Sequence, residues 1–176
     1  MQQEKTNAFN RQCISEALIR LMEQKEYDEI TVTQICQMAG VSRMTYYRNY
    51  SNKREIFSDY MKMIVDEFVQ VQKSKGLQQR SYEMILAGFL YFRSYQRFIE
   101  CLHQANLSSI LQDGINYYID QYVLQAGEDV MRKYHLYYYS GALFNIYTEW
   151  MRTGMHEDVQ DLAKIVYEHV KRKHQT

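Results

Sequence analysis

The sequence predicts an all-α fold in which a small N-terminal three-helix head is followed by a C-terminal helical bundle, and three observations carry this. Proline is absent and glycine occurs only seven times in 176 residues, which removes the usual punctuation of β sandwiches and loop-rich folds. Apolar residues recur at helical spacing in one segment after another. Between residues 31 and 57 two short helix patterns meet at Ala39-Gly40-Val41, and a third begins a few residues later. That is the layout of a helix-turn-helix. The length suits a small head plus one helical body and leaves no room for a third domain.

The first helix is expected over about residues 6–23, with Ile14, Ala17, Leu18, Leu21 and Met22 as its apolar stripe. Tyr27 and Ile30, in the loop that follows, should pack beneath the next two helices. Thr31 can cap the second helix while Gln34 reaches back in a capping box, and Ile35 and Met38 are expected to point inward. Gly40 supplies the turn, because a residue without Cβ takes a left-handed conformation after a helix at little cost. Ser42 caps the third helix. Its opening run Arg43-Met44-Thr45-Tyr46-Tyr47-Arg48 mixes cation, hydroxyl and methyl groups, a combination suited to a DNA major groove. Tyr46 and Tyr50 fall on the inner face by spacing. Asn52, with Glu55 at the matching box position, opens a fourth helix whose apolar face is Ile56, Phe57, Tyr60, Met61, Ile64, Val65 and Phe68.

The polar, glycine-ended stretch Lys73-Ser74-Lys75-Gly76 closes that helix. The expected division is therefore a helix-turn-helix head over 1–52, a linking helix over 53–76 and a helical body over 77–176. Within the body, one helix is expected over 82–101, a short one near 108–111, another over 113–131, and two clear ones over 133–152 and 157–172. The first of that last pair is apolar nearly all round and carries the small residues Ser140, Gly141 and Ala142, which permit close helix approach. The final helix carries Val159, Leu162, Ala163, Ile165, Val166 and Val170 on a broad stripe.

At Ile30-Thr31-Val32-Thr33, Ile35-Cys36, Ala39-Gly40-Val41-Ser42, Thr45-Tyr46-Tyr47-Arg48-Asn49-Tyr50 and Ser51-Asn52-Lys53 with Glu55-Ile56-Phe57, the chain resembles the TetR family of bacterial transcriptional regulators. The resemblance is specific in order, spacing and residue type over the first third of the chain. It implies a DNA-binding regulator that forms a homodimer through its last two helices, reads a palindromic double-stranded operator and answers to a small-molecule effector. It also implies phosphate contacts at Thr45, Tyr47 and Lys53. Cys36 stands where alanine is usual, and a buried thiol filling the head is expected there. From residue chemistry, Arg43 and Arg48 are candidates for guanine edges or phosphates, Met44 for a thymine methyl, and Thr33 for a phosphate anchor.

Charge and composition bound the remaining classes. The 21 basic and 21 acidic residues cancel, unlike the basic balance of many nucleic-acid binders. Residues 42–54, however, hold Arg43, Arg48, Lys53 and Arg54 with no acid, which concentrates phosphate attraction locally. Cys13, Cys36 and Cys101 are odd in number and lack metal spacing, so a reduced cytoplasmic setting is expected, with no disulfide, metal or cofactor. The five histidines show no ligand spacing. No glycine-rich phosphate loop or paired-carboxylate motif supports catalysis. No signal-like N-terminus and no apolar run of about 18 residues points to a membrane.

The body holds twelve of the seventeen tyrosines. A tyrosine buries a large ring but seeks a partner for its hydroxyl, so this density suits either core and dimer packing or a pocket for an aromatic or amphipathic molecule. The pocket candidates are Tyr91, Phe92, Tyr95, Tyr118, Tyr122, Phe144 and Tyr147. The expected function is a repressor released from its operator by a small molecule. The alternative is a regulator, activator included, whose body binds a protein partner through exposed aromatics.

Overall fold

The computed structural model describes residues 2–79, 81–125, 127 and 129–172. Among these residues the chain is helical, with no strand. In order come α1 (Gln2–Met22), a 3₁₀ turn (Tyr27–Glu29), α2 (Val32–Ala39), α3 (Arg43–Asn49), α4 (Lys53–Ser74), α5 (Tyr82–Arg93), α6 (Gln96–Gln104), α7 (Ser109–Tyr118), a π-helical turn (Ile119–Val123), α8 (Val130–Arg152) and α9 (Val159–Arg172). They form two compact units. The first comprises Met1–Met63 and Arg97–Gly114, the second Ile64–Gln96 and Ile115–Thr176, so α4 contributes to both.

In the first unit the expected stripe of α1 is buried along its length and packs against α2 and α3. Phe57 of α4 lies between the ring of Tyr27, at 5.9 Å, and that of Phe98 in α6, at 5.6 Å. Tyr60 meets Phe98 edge-on at 5.0 Å. Surface ion pairs Arg97–Glu23 and Arg54–Asp113 join the same pieces at 3.0 and 3.6 Å. Gly114 admits Met61 so closely that a Cβ there would stand 2.5 Å from its Cγ.

In the second unit Phe89 of α5 stacks on Tyr147 of α8 at 4.7 Å and takes Trp150 edge-on at 5.8 Å. α5 also packs along α9, where Tyr82 and Tyr167 meet at 6.0 Å. The buried Ser140 hydroxyl bonds Asn116 Oδ1 at 2.6 Å, so the small face of α8 hosts a polar contact that its periodicity does not announce.

Three expectations are corrected. The single helix expected over 82–101 is two. Ser94 Oγ donates to Tyr91 O at 2.6 Å, and the amides of Ser94 and Tyr95 take three-residue bonds to Tyr91 O and Phe92 O, which tightens the last turn and ends α5. Phe98, Ile99, Cys101 and Leu102 are consequently buried in the first unit. The helix expected over 113–131 begins at Ser109, absorbing the short helix near 108–111. It ends in the π turn, where Leu124 N donates to Ile119 O at 2.9 Å. α8 then starts at Val130 behind Asp129, whose side chain accepts from Met131 N at 3.1 Å. Met38, expected inward, is 42% exposed, because Ile35 and the adjacent Cys36 form the buried face of α2.

Candidate nucleic-acid interface

The geometry of the head is set by its caps. Gln34 N donates to Thr31 Oγ1 at 3.3 Å and Thr31 N to Gln34 Oε1 at 2.9 Å, the reciprocal box expected at the start of α2. Gly40 ends that helix in the left-handed region at φ 67°, and Val41 N donates to Cys36 O at 3.0 Å. Ser42 Oγ then accepts from Thr45 N at 3.0 Å, and the Ser42 and Thr45 hydroxyls lie 2.9 Å apart. At the next junction Asn52 Oδ1 accepts from Glu55 N at 3.0 Å while Glu55 accepts from Ser51 N at 2.7 Å. With both ends of α2 and the start of α3 and α4 fixed, α3 has one inner and one outer face.

On the inner face Tyr46 is fully buried, with its ring 5.3 Å from Tyr47 and 6.0 Å from Tyr50. Burial pushes the Tyr46 phenol up to about 12. Tyr50 donates its hydroxyl to Asp59 at 2.7 Å, and Arg11 meets the same carboxylate at 3.3 Å. The outer face carries Arg43, Met44, Tyr47 and Arg48, all exposed, Met44 to 80% and Tyr47 to 63%. No acid interrupts α3. The Arg43 guanidinium reaches back to donate to Thr33 Oγ1 in α2, so these two candidates act as one unit. Arg43 also opposes the burial that raises the Cys36 thiol behind it. Thr45 is half-buried and engaged with Ser42.

Lys53 faces elsewhere. Its ammonium donates to the main-chain carbonyl of Tyr27, to that of Ile30 at 2.9 Å and to that of Asp28 at 3.4 Å, and it lies 4.4 Å from the Tyr27 ring centroid. Burial lowers its pKa. The seven DNA candidates thus divide into an outward group on α3, with Thr33 tied to it, and Lys53 on the carbonyls of the 3₁₀ turn. Sequence reading missed Arg11 and Asp59, which brace Tyr50. Their separation along the chain leaves no periodic signal.

The aromatic candidates fall in the second unit around Phe68 of α4. The rings of Tyr91, Phe92 and Tyr118 lie 5.3, 5.8 and 6.5 Å from it. The Tyr91 and Tyr95 hydroxyls are 3.2 Å apart, and Tyr95 reaches Glu67 at 3.3 Å. Tyr122 and Tyr117 both donate to Asp66 Oδ1, at 2.6 and 3.0 Å. The π turn makes this possible, since its wider winding brings side chains five residues apart toward one side. Tyr147 is buried between Phe89 and Phe92, and desolvation alone raises its phenol. Phe144 is half-buried on α8. Asp66 and Glu67 were not among the expected residues, because carboxylates on a helix surface carry no sign of the tyrosines they will meet.

Two family models match the chain. The model for bacterial regulatory proteins, tetR family, covers residues 14–60, and that for a transcriptional regulator C-terminal region covers residues 79–172. The chain belongs to the TetR family. This TetR-family protein is a transcriptional regulator and not an enzyme. No curated protein matches it. Among solved structures, the dihydroxyacetone kinase operon activator DhaS is 17% identical, with 93% of this chain and 95% of that one covered at a TM-score of 0.63. The fatty acid degradation regulator FadR from Bacillus halodurans is 16% identical, covering 90% and 93% at 0.54. NalD from Pseudomonas aeruginosa, the secondary repressor of the MexAB-OprM multidrug efflux pump, is 19% identical, covering 95% and 96% at 0.53. At these identities the likeness establishes the fold. TetR-family regulators bind DNA operators and typically dimerise. Among the described residues of this one, no helix is long and apolar enough to cross a membrane.

Proposed function

We propose that this regulator is a homodimeric repressor that binds a palindromic operator through α3 and leaves it when a small molecule occupies the second unit. The observation that carries the DNA reading is the outer face of α3, where Arg43, Met44, Tyr47 and Arg48 are exposed on a helix whose opposite face is buried at Tyr46. Arg48 is the residue for a guanine edge. Arg43, already holding Thr33, is better suited to a phosphate beside Thr33, Thr45 and Tyr47, and Met44 to a thymine methyl. In this scheme residues 1–52 serve as the DNA-binding head, 53–76 as the link, and 77–176 as the sensing and dimerising body.

Dimerisation through α8 and α9 is supported by Tyr134, Tyr138 and Ile165, which are 65%, 70% and 50% exposed in the protomer. A twofold pair of heads requires half-sites spaced about one helical turn or a multiple apart. The effector reading is supported by the aromatic layer around Phe68 with Tyr91, Phe92, Tyr95, Tyr118, Tyr122 and Tyr147, and Phe144 nearby, where rings lie beside hydroxyls and carboxylates. An amphipathic aromatic molecule matches that mixture. It acts by binding one dimer conformation more tightly than the other, and a 10⁴-fold preference corresponds to about 5.5 kcal/mol.

The test is selection of duplexes from a randomised pool by the full-length protein, followed by binding of the enriched duplex at several salt concentrations. A twofold-symmetric consensus, bound with strong salt dependence and read less strictly at one position by Arg48→Ala, is the expected result. Enrichment of no sequence would sink the DNA reading.

A further inference from the structure

Resting on the reading that a small molecule occupies the second unit, we propose that this effector is an uncharged aromatic molecule, seated against Phe68, that donates a hydrogen bond to Gln72 and accepts one from Tyr147. Three observations converge on that place. Gln72 is 3% exposed, and its amide oxygen has no hydrogen-bond partner among the described residues. It follows Phe68 by one turn of α4 and shares its buried face, since residues four apart on a helix lie one above the other. Phe68 is the ring around which Tyr91, Phe92 and Tyr118 gather.

Tyr147 is the second unpaired group. It is 8% exposed, and burial is the one cause that raises its phenol, with no hydrogen bond or charge contributing. The hydroxyls of Tyr91, Tyr95, Tyr117 and Tyr122, in contrast, meet carboxylates or one another. The third observation is Gly88, inside α5. A Cβ there would stand 3.8 Å from both Phe68 Cζ and the Tyr147 hydroxyl oxygen, an ordinary contact. Neither a left-handed backbone nor crowding calls for glycine, and alanine is the better helix former. The absent methyl leaves room beside Phe68 and Tyr147 for a ligand to approach the backbone.

Buried polar groups are nearly always paired, and each one left alone opposes folding. A ligand that pairs both relieves both. The protonated phenol donates and the amide oxygen accepts, which sets the complementary acceptor and donor on the ligand. Neither group is charged, so an ionised ligand would lose its water here without a counter-charge from them.

The test is calorimetry on the full-length, DNA-free protein. The probes are 2-quinolone and 4-quinolone, which place a ring N–H and a carbonyl side by side or across the ring, their N-methyl derivatives, and 1-naphthoate as an anion. One of the two quinolones should bind at least about tenfold more tightly than its N-methyl derivative and than 1-naphthoate. Gln72→Leu should erase the preference for the N–H, Tyr147→Phe should weaken the quinolone and its N-methyl derivative alike, and Gly88→Ala should weaken all three. Without probe, the melting temperatures of Gln72→Leu and Tyr147→Phe should equal or exceed that of the wild type, because each removes an unpaired buried group. Absence of quinolone binding, equal binding of the methylated forms, or selectivity that survives Gln72→Leu overturns the proposal. A fall in both melting temperatures overturns it too, by showing that the two groups serve the fold. Selective binding that leaves the enriched duplex bound would support the site and sink the release reading. Release by 1-naphthoate, unaffected by either variant, would support the release reading and overturn this site.

Discussion

Tyr46 and Tyr50 sit one turn apart on the inner face of the recognition helix and differ in what their hydroxyls meet. The Tyr50 hydroxyl donates to Asp59, which Arg11 also approaches. That of Tyr46 is buried and, among the described residues, has no hydrogen-bond partner. A buried group without a partner has already lost its water, whereas a paired one leaves its partner stranded when removed. Tyr50→Phe is therefore expected to destabilise the protein by about 1–2 kcal/mol, and Tyr46→Phe to be neutral or slightly stabilising, both read from urea midpoints. The same asymmetry shapes the alkaline limb of stability. Tyr46 keeps its proton up to about 12 in the folded chain against an ordinary value of 10.0. Its contribution is intact below pH 10 and is lost as pH rises toward 12, because only the unfolded chain releases the proton in that window. The urea midpoint should fall between pH 10 and 12, and fall less steeply in Tyr46→Phe. That both rings face inward is legible from their spacing. Which hydroxyl finds a carboxylate is not, since Asp59 belongs to another helix.

At the scale of elements, what was legible is whatever a local rule governs. The Thr31–Gln34 box, the Ser42 cap, the Gly40 turn and the Asn52 cap are each written within four or five residues, and each is present, although Glu55 reaches back to Ser51 N where a full box would take Asn52 N. The break after α5 and the π turn after α7 are not legible, because neither carries glycine or proline; serine back-bonding and the burial of Phe98 and Leu102 accompany the first. Two glycines separate local from tertiary constraint. At Gly40 a Cβ would meet nothing within 4 Å, so Gly40→Ala is penalised only by its φ of 67°, by about 1–2 kcal/mol. Because this turn aims α3, its operator affinity should drop more than its stability does, as parallel binding and denaturation curves would reveal. At Gly114 the backbone is ordinary helix and alanine would be favoured by about 1 kcal/mol, but the added methyl would collide with Met61 Cγ and Sδ at 2.5 and 2.7 Å. The collision wins, and Gly114→Ala should destabilise by about 1–3 kcal/mol. Shortening Met61 in a double-mutant cycle should recover part of that.

For the molecule as a whole, a net charge of zero coexists with an acid-free basic run over 42–54, so attraction to DNA is confined to one end of the sequence and should be strongly screened. A ligand that occupies the aromatic layer should raise the melting temperature, by the equivalent of about 2.7 kcal/mol at a hundred times its Kd. The same ligand should release the enriched duplex at matching concentrations, and stabilisation without release would separate binding from regulation. The two units were only partly legible. The helix-turn-helix motif marks the head, but the return of α6 to it depends on Phe98 meeting Phe57 and Tyr60, partners some forty residues earlier in the chain. That return has a temporal side. The first unit is not finished when the helix-turn-helix has been synthesised, since its remaining piece spans Arg97–Gly114. On the ribosome, a chain that has just exposed residues 1–63 carries every candidate DNA contact while Phe57 and Tyr60 still await Phe98. The first unit is thus completed only after residues 64–96 have been synthesised, and a gene truncated between 63 and 97 would encode the whole motif without the rest of the unit that packs against it.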